Sequence, residues 1–214
     1  MFDEDRWAEV LRLLGVRPGV AKDWAPVCTE FLVPANFSLG REEIDDFLAQ
    51  IIHESAHLTR LEENLRYSAQ RLCQVWPARF PTIEAAAPFA YNPVALAEKV
   101  YGGRMGNDSP GDGWLYRGRG PIMLTGAEAY ELAQVETGLP LVDKPELAAT
   151  PRGGMQVSIA WWERRIPDSM IGNVDLVSRR VNGGANGLAE RRTLAALTND
   201  LIQGDVHADL VHAG

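Results

Sequence analysis

Histidine and cysteine are scarce in this chain, four and two residues in 214. Cys28 and Cys73 stand far apart without a metal-like spacing, which argues against a disulfide scaffold or thiolate cluster and predicts two buried free thiols. No apolar run approaches the ~20 residues that a membrane span needs, so no stable membrane association is expected. Positive charge is the minority sign: 21 basic against 29 acidic residues give a formal net charge of −8. Nucleic acid is therefore not the expected partner, and an acidic ligand would have to be steered by a local arrangement of side chains. The opening Met1-Phe2-Asp3-Glu4-Asp5-Arg6 has neither the basic n-region nor the apolar h-region of a signal peptide, which predicts accumulation in the cytoplasm. Internal repeats and low-complexity stretches are lacking as well.

Apolar residues make up 46% of the chain, enough for one domain with a real core. Their spacing predicts helices. Asp3 can cap a helix over 3–14 whose Trp7, Val10, Leu11 and Leu14 share a face, and a second spans about 20–33 with Pro26 near its first turns. Ser68 to Trp76 reads as a short helix stopped by Pro77, followed by proline-rich loops and a helix over 93–101. The glycine-rich residues 102–121 read as a long loop near a site. Thr125 is placed to cap a helix over about 126–137. A helix over 151–165 carries Trp161 and Trp162, read as core, and the last spans 188–203 before a tail from Val206.

The chemistry concentrates on the segment between. Ile44, Phe47, Leu48, Ile51 and Ile52 mark a helix with one apolar face, which ends in His53 and Glu54. His53-Glu54-Ser55-Ala56-His57 matches H-E-x-x-H, two imidazoles one turn apart with a general-base Glu, as in zinc peptidases. The third ligand that such a zinc needs has no obvious source. The other reading pairs Glu54 with Glu63: sugar hydrolysis needs one carboxylic acid and one carboxylate. On an unbroken helix the two would lie about 13.5 Å apart along the axis, whereas inverting glycosidases hold theirs about 6.5–9.5 Å apart. The helix must therefore stop just after Glu54.

His53-Glu54-Ser55, Glu63-Asn64-Leu65, Tyr67-Ser68-Ala69, the run Val100 to Asn107, Gly111-Asp112-Gly113-Trp114, Tyr116 to Ile122 with Leu124-Thr125-Gly126, and Val181-Asn182-Gly183-Gly184 with Asn186-Gly187-Leu188 resemble, in order, glycoside hydrolase family 19, the chitinases and related endolysins. The likeness covers roughly residues 40–195. It implies a mainly α, lysozyme-like two-lobed fold with a catalytic groove, one catalytic domain over 1–214 with a small lobe near 68–115, and no separate wall-binding domain. It also implies Glu54 as general acid, kept protonated by burial, and Glu63 as general base on a water held with Thr125. Tyr67, Ser68, Tyr116, Arg119, Asn182 and Arg191 are the implied substrate-side residues, without metal or cofactor.

The sequence departs from the family pattern at several places. Two glycines that often follow the Ser or Thr after the acid are Ala56 and His57. Residues that bind N-acetyl sugars in chitinases are replaced by Met123, Ala129 and Arg66. These losses, the short chain and the likeness to phage-type members point to peptidoglycan strands as partner. The expectation is a monomeric endolysin that collects in the host cytoplasm and reaches the wall after a separate protein permeabilises the membrane. A chitinase, a zinc peptidase and a non-catalytic glycan-binding module are the alternatives.

Overall fold

The computed structural model describes residues 2–212, with side chains as far as residue 204. Among the described residues the chain is built from helices: α1 Glu4–Leu13, α2 Pro18–Phe31, α3 Arg41–Glu54, α4 Ala69–Val75, α5 Ile83–Ala86, α6 Pro93–Tyr101, α7 Asp112–Leu115, α8 Ala127–Thr137, α9 Pro151–Arg165, α10 Val174–Asn182 and α11 Leu188–His212. Their β pairing is confined to two isolated antiparallel bridges, Glu62 with Arg119 and Arg119 with Leu124. None of these helices is long and apolar enough to cross a membrane.

Two compact units make up the chain. The first takes in the residues up to Leu61, Gly120–Ile122, and the chain from Ala149 on; the second is Glu62–Arg119 with Met123–Ala148. The expected small lobe, 68–115, falls inside the second unit, which reaches further at both ends.

In the first unit α3 is the central element, and its surroundings differ from the sequence expectation. Ile44, Phe47, Leu48, Ile51 and Ile52 are buried as predicted, but so are Glu43, Asp45, Asp46 and Gln50. The helix is enclosed on all sides, and each polar residue is therefore given a partner. Trp162 Nε1 of α9 donates to Glu43 at 2.6 Å, the Gly172 amide to Asp46 at 2.6 Å, and Asn199 of α11 to Asp45 at 2.9 Å. Each of the five apolar side chains contributes about 1.5–3 kcal/mol on burial. The carboxylates contribute placement, because their donors come from α9, the segment before α10, and α11. Trp162 is core, as expected, whereas Trp161 is only half-buried against it.

Several local expectations hold. Asp3 caps α1 through the Arg6 amide at 2.8 Å, and α9 spans Pro151–Arg165. Others do not. Pro26 sits in the middle of α2 rather than near its start. Cys28 is buried, with its thiol pushed up by desolvation, but the free Cys73 is only partly buried. Helix α11 continues to His212 where a tail was expected from Val206; Ala213 and Gly214 lie outside the described residues.

The second unit has its own core of Leu65, Leu72, Phe80, Leu96 and Val100, with Tyr67, Trp76, Phe89 and Trp114 against it. Glu98 of α6 ties down the glycine-rich segment, accepting from the Trp114 amide at 2.8 Å and from Gly111 at 3.1 Å. Gly113 is required there, since a Cβ would lie 2.8 Å from the Ala97 carbonyl oxygen. Buried Asn107 joins this segment to α8 by accepting from the Ala127 amide and donating to the Tyr101 carbonyl.

Candidate active site

Glu54 is the last residue of α3, so the helix stops where the two-carboxylate reading needs it to stop. The stop is a left-handed turn: Ala56, His57 and Leu58 have φ of 49°, 57° and 60°. Three consecutive non-glycine residues in this region are costly, about 1–2 kcal/mol each. Ser55 holds the turn, donating its hydroxyl to the Ile51 carbonyl and accepting from the Leu58 amide at 2.8 Å. The turn also explains the glycines that the family pattern favours at positions 56 and 57, since only glycine adopts positive φ without that cost.

This geometry corrects the metal reading. His57 lies beyond the helix end, so the one-turn spacing of H-E-x-x-H is never made. Its Nδ1 meets the Leu14 carbonyl at 3.1 Å, and Glu190 of α11 lies beside both rings, 3.3 Å from His53 Nδ1 and 3.7 Å from His57 Nε2. Burial, with the positive Arg191 adding to it, lowers the His53 pKa. Among the described residues no group of three or more His, Cys, Asp or Glu could hold a metal ion.

Arg191 of α11 donates Nη2 to the Glu54 carboxylate and Nη1 to Gln50, and is itself only 2% exposed. Arg60 donates to the Glu54 carbonyl at 3.0 Å. The dry pocket expected for Glu54 is not what forms: its side chain keeps 26% exposure and sits in an ion pair. Asn182 closes the turn after α10 by donating to the Asn186 carbonyl at 2.9 Å. That turn brings Gly187, at φ +69°, onto the His53 ring, where a Cβ would stand 2.4 Å from Nε2.

The second unit assembles the other group. Glu63 accepts from the Gly118 amide at 2.6 Å through Oε1 and from the Tyr101 hydroxyl at 2.7 Å through Oε2. Its own amide donates to the Gly118 carbonyl at 3.0 Å. A Cβ on Gly118 would lie 3.2 Å from Thr125 Oγ1 and 3.3 Å from Glu63 Cδ, so Thr125 and Glu63 are brought together over one glycine. Thr125 does not cap α8; Gly126 takes the cap position without a side-chain bond, and the Thr125 hydroxyl donates to the Met123 carbonyl at 2.8 Å.

Tyr101 was not singled out from the sequence, where it reads as the last apolar residue of α6. Burial first, then its bond to Glu63, raises the phenol pKa, which keeps it a donor. Other sequence-predicted residues have internal work. Arg119 is 3% exposed and donates to the Leu115 carbonyl at 2.7 Å and the Tyr130 hydroxyl at 3.0 Å. Tyr116 is 8% exposed and donates to the Val142 carbonyl. Ser68 caps α4 through the Arg71 amide. Half-buried Tyr67 stands edge-on to Trp76. Tyr116 and Arg119 are thus buried, and these bonds hold them to their own unit.

Comparison with known proteins bears on this constellation. No protein-family model matches the chain. A Haemophilus influenzae protein described as a glycosyl hydrolase family 19 domain-containing protein is 36% identical over 163 residues, covering 72% of this chain and 79% of the relative. The chain belongs to glycosyl hydrolase family 19. An Arabidopsis thaliana endochitinase is 33% identical over 70 residues, 32% of this chain and 25% of the relative. Chitinase C from Streptomyces griseus has the same fold, with a TM-score of 0.58 at 18% identity over 92% of this chain and 91% of that one. A Glu-to-Gln variant of chitinase C gives 0.57 at 16% identity, covering 94% and 76%. The chain is thus a chitinase-like glycoside hydrolase with a mainly α, lysozyme-like fold.

Proposed function

We propose that this family 19 enzyme hydrolyses the β-1,4 bond between N-acetylmuramic acid and N-acetylglucosamine in peptidoglycan, with inversion. Glu54 protonates the leaving oxygen, while Glu63 takes a proton from the water that attacks the anomeric carbon. The observation that carries the base assignment is the pair of donors on Glu63. Gly118 and Tyr101 fix its carboxylate and leave a lone pair on each oxygen for water. Thr125, its own hydrogen used on the Met123 carbonyl, offers lone pairs to the same water. Arg191 aligns Glu54, Asn182 shapes the turn beside it, and Tyr67 touches sugar.

Met123, Ala129 and Arg66, standing where chitinases place N-acetyl-sugar ligands, support peptidoglycan over chitin. Cleavage of chitin is the second reading, favoured by the chitinases among the similar proteins. As an endolysin the enzyme would act as a monomer, collect in the host cytoplasm and reach the wall once another protein opens the membrane.

Digestion of purified peptidoglycan and of chitin oligosaccharides, with mass spectrometry of the new reducing ends, separates the two polymers. Proton NMR of the first-formed anomer tests the mechanism; a retained anomer would remove Glu63 as a base on water. Glu54→Gln is expected to fold and to lose nearly all activity.

A further inference from the structure

Behind Glu54 a file of buried side chains, Ser178, Gln50 and Arg191, leads to its carboxylate, all within the first unit. Gln50 precedes Glu54 by one turn of α3, so the two share a helix face, and it is 1% exposed. Its Oε1 accepts from Arg191 Nη1, and its Nε2 donates to the Ser178 hydroxyl of α10 at 3.3 Å. A reversed amide would set its NH2 group against the guanidinium, donor against donor, so Arg191 and Ser178 between them allow one orientation. Arg191 Nε has no hydrogen-bond partner, and Nη1 and Nη2 go to Gln50 and Glu54. The guanidinium plane is therefore set by Gln50 on one side and aimed at Glu54 on the other.

We infer that Gln50 is a positioning residue for the reaction, a neutral acceptor that fixes the Arg191 guanidinium on Glu54 and leaves its charge to that one carboxylate. A glutamate would fit the same volume but would divide the charge between two anions. The other charged or titratable groups around Glu54 in this unit are Glu190 of α11, Arg60 after the left-handed turn, and His53 and His57. None of them contacts Gln50 in the hydrogen bonds described.

The inference rests on reading Glu54 as the general acid, and the test separates the two. On whichever polymer the enzyme cleaves, Gln50→Glu is expected to move the alkaline limb of the kcat/KM pH profile upward by about one unit, because Glu54 gains an anionic neighbour and loses part of its cation. Gln50→Met is expected to lower kcat about tenfold with KM little changed, since its effect is on alignment rather than binding. An unmoved alkaline limb in folded Gln50→Glu overturns the inference. Should that variant not fold, Ser178→Ala, which frees the amide without adding charge, decides: a lower kcat at constant KM supports Gln50, and an unchanged kcat overturns it. If Glu54→Gln stays active, the acid assignment itself fails; if it is inactive while the Gln50 variants behave as wild type, only the present inference fails.

Discussion

Tyr101 donates its phenolic hydrogen to Glu63 Oε2 at 2.7 Å, joining the end of α6 to the carboxylate proposed to activate water. A hydrogen bond to a charged group is worth about 1.5–3 kcal/mol. Tyr101→Phe is therefore expected to lower kcat roughly 10- to 100-fold with a small change in KM, while circular dichroism and melting temperature stay near wild type. Unchanged kcat would show that the Gly118 amide alone positions Glu63.

Gly118 is the point on which Glu63 and Thr125 meet. Adding a methyl there forces one of them to move by a few tenths of an ångström, at 3.2 Å from Thr125 Oγ1 and 3.3 Å from Glu63 Cδ. Small displacements of reacting groups cost up to about 100-fold. We expect Gly118→Ala to fall in that range, Thr125→Val to do likewise, and Thr125→Ser to keep most activity, measured as reducing ends released per minute.

The left-handed turn offers a stability test. Ala56 is exposed at φ 49°, so Ala56→Gly removes the steric cost without losing a contact. A gain of about 1 kcal/mol, a rise in Tm of about 2–4 °C, is expected. His57→Gly should gain less or lose, because the ring meets the Leu14 carbonyl and Glu190. Equal gains would mean that those contacts contribute nothing.

Asp46 supplies a pH signature. Its pKa is raised, by burial foremost and by the neighbouring Asp45 and Glu43, with the Gly172 amide opposing. A folded pKa above the unfolded one means stability present at low pH and lost as pH rises through the folded value. Asp46→Asn, whose amide oxygen can still accept from Gly172, should therefore be more stable than wild type at pH 7, by about 1 kcal/mol. The advantage should shrink toward pH 4. Thermal melts at both values check this, and a pH-independent difference would refute it.

The end of α3 at Glu54, the helices over 93–101 and 151–165, and the family's motif blocks were legible in the sequence because each rests on local signals: apolar periodicity, caps and prolines, and motifs short enough to read in line. Cys73, Pro26 and the cap of α8 were misjudged for want of the surrounding packing. The helix start at residue 93 was visible, but Asn107 as a buried strut between segments was not.

Sequence alone determined the helical class and the family, and offered Glu54 and Glu63 as the candidate carboxylates, since hydrophobic spacing and ordered motifs are properties of the chain as written. Tertiary structure decided which polar residues meet the two candidate carboxylates and which bond elsewhere. Arg119 and Arg191 look alike in the sequence, yet one is spent on Leu115 and Tyr130 and the other on Glu54. Tyr116 and Tyr101 are likewise both tyrosines, and only Tyr101 meets a carboxylate. A hydrogen bond between residues distant in the chain exists only once packing has brought donor and acceptor within 3 Å, and no pattern along the chain encodes that distance.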